Sequence, residues 1–244
     1  MIQLSIVVAA LNAQDNVEPL IEQIKRTVVD CGLGVQLVVV DDGSTDQTLA
    51  RLKALAARHQ WVQVLHGDKP QGQSAALAAG LRQVQGPYVA TLDADLQNDS
   101  EDLPLMLQTI QRKKADLVQG DRSRHRKDTV VRRGSSWVGR TVRRMVVAEH
   151  IHDTGCSARV MTRALAQQLP LQFKGMHRFI PAYAKVLGAT IVEVPARHHL
   201  RTAGTTNYGI FNRAIPGLIY CLVMRWMKNR YRHPHMTPVE VAKT

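Results

Sequence analysis

The run Leu37-Val38-Val39-Val40, followed at once by Asp41-Asp42-Gly43-Ser44-Thr45-Asp46, constrains the fold more than any other stretch. Four consecutive apolar, mostly β-branched residues fit an interior strand of a parallel sheet, covered on both faces. Gly43 supplies a turn, and Ser44 or Thr45 can cap a helix starting near Asp46. Leu49, Leu52, Leu55 and Ala56 give that helix one apolar stripe. A strand turning directly into an amphipathic helix is half of a βαβ unit, so the chain is read as an α/β protein.

The same grammar recurs along the first half. Ile2 to Ala9 reads as a strand, and Val17 to Val29 as a helix with Leu20, Ile21, Ile24 and Val28 on its inner face. Val62 to Leu65 is a short strand, and Gly72 to Val84 a small-residue helix whose first N–H groups can face a phosphate or simply pack. The apolar run Tyr88 to Leu92 ends in Asp93-Ala94-Asp95-Leu96-Gln97, with a helix expected near Glu101 and a strand at Leu117 to Gln119. In open α/β sheets ligands bind at the carboxyl ends of the strands. Two acids one residue apart at such an end can hold a hard divalent cation together with nucleotide phosphates, although an acidic turn is the plainer alternative. Asp41 lies in the same crevice if its strand is a near neighbour; otherwise it is a helix-capping acid.

After Gly120-Asp121-Arg122 the character changes. Arg122 to Arg133 is charged and lacks apolar periodicity, which reads as a loop leading into a helix over Ser135 to Val147. Asp153-Thr154-Gly155-Cys156 precedes a strand at Ser157 to Met161; Gly175 to Leu187 has helical spacing and Thr190 to Val194 reads as a strand. The net charge of +12 calls for an anionic partner. Nucleic acid is disfavoured, because the basic clusters at Arg122 to Arg144 and Arg225 to Arg232 lack interleaved aromatic residues and any helix-turn-helix or zinc signature. Phosphate-rich ligands or an anionic membrane surface fit better. Three widely spaced cysteines point to a reducing compartment, and no signal peptide is expected at the N-terminus.

These stretches, taken in order, resemble family 2 glycosyltransferases with the GT-A (Rossmann-like) fold, and within them the dolichol- or polyprenyl-phosphate sugar synthase branch. The resemblance rests on Val39 to Asp46, Asp93-Ala94-Asp95-Leu96-Gln97, Gly120-Asp121-Arg122, Asp153-Thr154-Gly155-Cys156 and Glu193-Val194-Pro195, and on Arg201 with Gly204, Asn207, Tyr208 and Gly209. It implies a mostly parallel central sheet with helices on both faces, and a metal-dependent, inverting transfer of a sugar from a UDP- or GDP-sugar to a polyprenyl phosphate. By that resemblance Asp41 binds the base, with Ala10 and Asn12 beside it. Asp93 and Asp95 hold the nucleotide sugar and Mg2+ or Mn2+, with Gln97 as a further metal ligand. Arg122, Arg132 or Arg133, Ser136 and Arg201 receive the lipid phosphate and the diphosphate. Asp153 is the candidate base if the acceptor is an alcohol. The chain departs from the family at Ala9-Ala10-Leu11-Asn12, where Pro–Ala–Tyr–Asn is usual, at Gln14-Asp15, and at Thr206-Asn207, where Ser–Lys is usual.

The expected organisation is a catalytic domain over 1–209, an amphipathic segment over 210–232 and a flexible tail over 233–244. Ala214 to Met224 is too short an apolar stretch to span a bilayer. With Lys228, Arg230 and Arg232 beside it, the segment reads as an interfacial helix, and the alternatives are core packing or a homo-oligomer interface. The protein is then expected at the cytoplasmic face of the membrane, bound peripherally or through a membrane partner protein. A soluble family 2 enzyme acting on a saccharide or protein hydroxyl is the rival reading. A nucleotidyltransferase is disfavoured, because no glycine-rich basic loop follows Val8.

Overall fold

The computed structural model describes residues 1–123, 151–199 and 211–232, without the side chains of 211–218. A seven-stranded sheet runs in the order β3-β2-β1-β4-β6-β5-β7. Its strands are β1 (Leu4–Ala10), β2 (Val35–Asp41), β3 (Val62–His66), β4 (Tyr88–Asp93), β5 (Leu117–Asp121), β6 (Arg159–Thr162) and β7 (Ile191–Pro195). All pairings are parallel except the two made by β6, which is inserted antiparallel between β4 and β5. The mostly parallel α/β sheet is the one the sequence predicts, and the reversal of β6 is a feature its pattern does not carry.

Strand alternation divides the core into two layers. Leu4, Ile6 and Val8 with Leu37 and Val39 face α1 (Val17–Ile24), α2 (Thr48–Arg58) and α4 (Leu103–Lys113) through Leu20, Leu52 and Met106. Val7, Val38, Val89 and Met161 face the other way. They meet α3 (Gln73–Leu81), α5 (Arg163–Gln168), α6 (Ile180–Val186) and the C-terminal α7 (Phe211–Arg230) through Leu77, Leu165, Ile180 and Met224. Burial on both faces explains the β-branched continuity of β2.

Local departures have local causes. The predicted helix over 17–29 ends in a π-helical turn, Lys25–Val29, where the Asp30 N–H reaches back to the Lys25 carbonyl. The predicted strand at 157–161 is shifted to Arg159–Thr162, because Ser157 instead ties β4 through the Thr91 hydroxyl. The helix over 175–187 is a 3-10 turn, Met176–Phe179, followed by α6. α5, capped by Thr162 accepting from the Leu165 N–H, was not expected, being only six residues long. Gly43 is required by its backbone: its φ is +73°, and a Cβ there would lie 2.5 Å from the Lys69 carbonyl carbon.

α7 presents two different faces over its described part. Cys221 and Met224 are buried in the core layer where α7 meets α6, whereas Ile219, Leu222, Val223 and Trp226 are exposed. Among the described residues, no helix is long and apolar enough to cross a membrane.

Candidate functional site

The acidic strand ends gather at one edge of the sheet. Register places Ala10 of β1 opposite Asp41 of β2, and Ala9 opposite Asp93 of β4. β1 therefore separates the two acids, by about 9.5 Å at the usual spacing of two strands. Ala10 ends β1 between the two acidic strand ends, and Asn12 follows in the loop beyond it.

On the β4 side, Asp93 ends the strand, and Leu96 adopts a left-handed conformation with φ of +60°. That is unusual for a leucine and turns the chain back on itself. The Gln97 N–H consequently donates to Asp95 Oδ1 at 3.2 Å. Asp93 Oδ1 accepts from Gln73 Nε2 at 2.7 Å, at the start of α3. Burial, and then the neighbouring Asp95, push the Asp93 carboxyl above its ordinary pKa, with Arg159 and Arg122 opposing. A cation would relieve the like-charge pair, and the all-oxygen donors of Asp93, Asp95 and Gln97 suit a hard divalent ion. All three are partly accessible.

On the β2 side, Asp41 is fully buried, with Oδ2 at 2.8 Å from His66 Nδ1 and Oδ1 without a hydrogen-bond partner. An orphan acceptor at this edge is chemically suited to an N–H donor such as a base imide. Asp42 takes the Gln71 and Gly72 N–H groups at 2.9 and 2.7 Å, so the first N–H before α3 is satisfied within the protein. Neither Ser44 nor Thr45 caps α2. The Ser44 hydroxyl accepts from the Asn12 N–H and the Thr45 N–H donates to Asn12 Oδ1, which ties the loop to the end of β1. Asp46 is the capping acid, accepting from the Thr48 N–H at 2.9 Å.

Arg122 and Asp153 meet as one buried pair. Arg122 Nε lies 2.8 Å from Asp153 Oδ2, and Nη2 lies 3.3 Å from Oδ1. Each is less than a tenth exposed. The Arg122 guanidinium is held above its usual pKa: Asp153, Cys156 and Asp93 outweigh burial, which acts first and in the opposite sense. The cation and the candidate base thus engage each other. Next to them, Asp121, His152 and Glu193 come together, with His152 Nδ1 at 2.9 Å from Glu193 Oε2. Arg132, Arg133, Ser136 and Arg201 lie outside the described residues.

Three groups carry no signal in the sequence. Arg159 is buried on the face of the sheet that bears Asp93. It donates to Gln119 Oε1 at 3.1 Å and to the His177 and Cys156 carbonyls. The His177 imidazole faces the Ser74 hydroxyl at 2.8 Å, and burial with Arg178 and Arg159 lowers its pKa to about 3. Asp99, 4% exposed, gathers Gln23, the Glu101 N–H and His199 around the loop after Asp95. A strand arginine, a histidine in a short 3-10 turn and a loop aspartate look ordinary until their distant partners are known.

Comparison with known proteins adds a lineage to this geometry. The profile described as Glycosyl transferase family 2 matches residues 5–169. A dodecaprenyl-phosphate galacturonate synthase from Rhizobium johnstonii is 32% identical over 237 residues, covering 96% of this chain and 70% of that protein. An undecaprenyl-phosphate 4-deoxy-4-formamido-L-arabinose transferase from Edwardsiella ictaluri is 31% identical, covering 90% of this chain and 66% of that protein. This chain thus spans about two thirds of the length of such relatives. Among solved structures, glucosyl-3-phosphoglycerate synthase from Mycobacterium tuberculosis, in complex with Mn2+, uridine diphosphate and glucosyl-3-phosphoglycerate, superposes with a TM-score of 0.69 at 21% identity, over 91% of this chain and 79% of that one. A mannosyltransferase from Pyrobaculum calidifontis, with GDP-mannose and Mn2+, gives 0.62 at 14% identity, over 93% and 73%.

Proposed function

The chain belongs to glycosyl transferase family 2, and we propose that it moves a sugar from a nucleotide-sugar donor to a polyprenyl phosphate at a membrane surface. The observation that carries the reading is the half-buried Asp93–Asp95 pair at the carboxyl end of β4, set across the end of β1 from the orphan acceptor of Asp41. Support for the acceptor class comes from the relatives, both of whose names specify a polyprenyl phosphate.

In this reading Asp93, Asp95 and Gln97 hold a divalent ion, Mg2+ or Mn2+, which would neutralise the donor's diphosphate as it leaves. Asp41 receives the base from beside Ala10 and Asn12, with His66 holding its second oxygen. A lipid monophosphate is already an anionic nucleophile at neutral pH, so the site needs charge management more than a strong base. Arg122 supplies an inner cation whose plane Asp153 fixes through the paired contacts. Arg132 or Arg133, Ser136 and Arg201 complete the acceptor side. In-line attack at the anomeric carbon inverts its configuration. Asp153, engaged by Arg122, is better suited to orienting that cation than to taking a proton, which disfavours an alcohol acceptor.

Docking to the membrane is assigned to α7. Ile219, Leu222, Val223 and Trp226 form an exposed stripe at helical spacing, and Arg225, Lys228, Arg230 and Arg232 are exposed around it. Apolar side chains beside basic ones are suited to an anionic lipid surface. The three free cysteines suit the cytoplasmic face.

The test combines purified protein, a panel of UDP- and GDP-sugars, and polyprenyl phosphate with Mg2+ or Mn2+, with the glycolipid detected by mass spectrometry. Transfer is expected to vanish in Asp95→Ala while the circular dichroism spectrum stays unchanged. Transfer to a saccharide or protein hydroxyl, and none to the lipid phosphate, would replace this reading with the soluble-acceptor one.

A further inference from the structure

The loop after Asp95 belongs to no helix or strand, yet it must present Gln97 in a fixed place. Leu96 is strained in the left-handed region, and such strain persists only where neighbours over-determine the conformation. The Gln97 peptide is held on both sides: its N–H donates to Asp95 Oδ1, and its carbonyl accepts the His199 N–H at 2.9 Å. Asn98 and His198 form an antiparallel bridge, so the segment after β7 runs against the loop like a two-residue strand. Beyond it, the His199 side chain completes the clasp, with Nε2 at 2.9 Å from Asp99 Oδ2. Asp99 Oδ1 is taken by Gln23 of α1 and by the Glu101 N–H, so the carboxylate that His199 grips is held from its other oxygen. Arg197 adds its N–H to Asp102 Oδ2 at 2.7 Å and pairs with Glu101.

We propose that His199 is a positioning residue, whose imidazole, anchored on Asp99, straps the segment after β7 onto the Gln97 loop and so sets Gln97 against the Asp93–Asp95 pair. The proposal rests on the reading of Asp93, Asp95 and Gln97 as the cation site. The backbone contact to Gln97 is available to any residue at position 199. What histidine adds is the side-chain anchor that keeps the backbone contact in register. A half-exposed, charge-assisted hydrogen bond of this kind governs local order more than global stability.

The experiment titrates Mn2+ into the purified full chain with UDP or GDP present, free Mn2+ being read by electron paramagnetic resonance and the unfolding midpoint being measured on the same samples. Asp95→Ala is expected to abolish tight Mn2+ binding; if it binds Mn2+ as the parent protein does, the cation-site reading itself fails. His199→Ala is expected to weaken binding about fivefold, the effect of one modest hydrogen bond, at an unchanged midpoint. His199→Gln, whose Nε2 can reach Asp99 as the imidazole does, is expected to restore most of that loss. Unaltered binding in His199→Ala, or a loss that glutamine does not recover, would overturn the positioning role while leaving the cation site standing.

Discussion

Acidification should destabilise this protein through His177, with a sign and an approximate size that follow from the surroundings of the imidazole. The Ser74 hydroxyl lies 2.8 Å from His177 Nδ1 and accepts the His177 main-chain N–H at 3.1 Å, while the Arg178 Nε–H donates to His177 Nε2 at 3.4 Å, so Nε2 is the acceptor of the neutral ring. Protonating Nε2 would remove that acceptor in a half-buried place and set a donor against Arg178, with Arg159 as a second like-charged neighbour. Burial first, and then those two arginines, lower the pKa to about 3 from an ordinary 6.5. The unfolded chain therefore binds a proton that the folded one refuses at any pH between those values, and stability falls as pH drops through that window. The slope is about 1.4 kcal/mol per pH unit, so moving from pH 6.5 to 4.5 costs about 2 to 3 kcal/mol. Since pH 4.5 lies well above the folded value, the figure depends mainly on the unfolded one. The assay is urea denaturation across that range for the parent protein and for His177→Gln. Asp93 and Asp102, whose carboxyls are raised chiefly by burial, act with the opposite sign in both proteins and drop out of the difference. Parallel stability curves for the two proteins would refute the assignment.

Three further outcomes follow from the same geometry. Asp153→Asn strands the buried Arg122 guanidinium and should cost about 3–5 kcal/mol in chemical denaturation, while Arg122→Met with Asp153→Leu should recover part of it; additive losses would mean that the pair is not coupled. Gly43→Ala must place a methyl group against the Lys69 backbone at positive φ, so its denaturation midpoint should fall by the equivalent of at least about 1 kcal/mol, and an unchanged midpoint would contradict the turn geometry. Leu222→Glu with Trp226→Glu, both exposed on α7, should leave the melting temperature alone and reduce co-sedimentation with anionic vesicles about tenfold or more; undiminished binding would remove α7 from the membrane contact.

The legible parts of the molecule are those encoded locally. Val38-Val39-Val40 and Tyr88 to Leu92 announce strands because both faces of the sheet are covered, and the acids follow at once because the strand ends there. The direction of β6 was not legible, since Arg159–Thr162 is too short for its pattern to carry orientation. Nor was the union of Arg122 with Asp153, which are 31 residues apart and each plausible alone. Arg159 hid for a different reason. A buried arginine reads as surface until its acceptors, the Gln119 amide and two main-chain carbonyls, are in view. His199 has no signal of its own in the sequence, because the carboxylate it grips lies 100 positions earlier.

The reversed strand β6 has a consequence for the connection that leads into it. β5 runs toward the acidic edge of the sheet and β6 starts from it, so the chain between Asp121 and Arg159 departs and returns on that same side. A parallel crossover would have forced it to travel the length of the sheet and would have fixed its minimum span. Here the direction of β6 sets no such minimum span between β5 and β6, and the two ends of the connection, Arg122 and Asp153, are tied to each other.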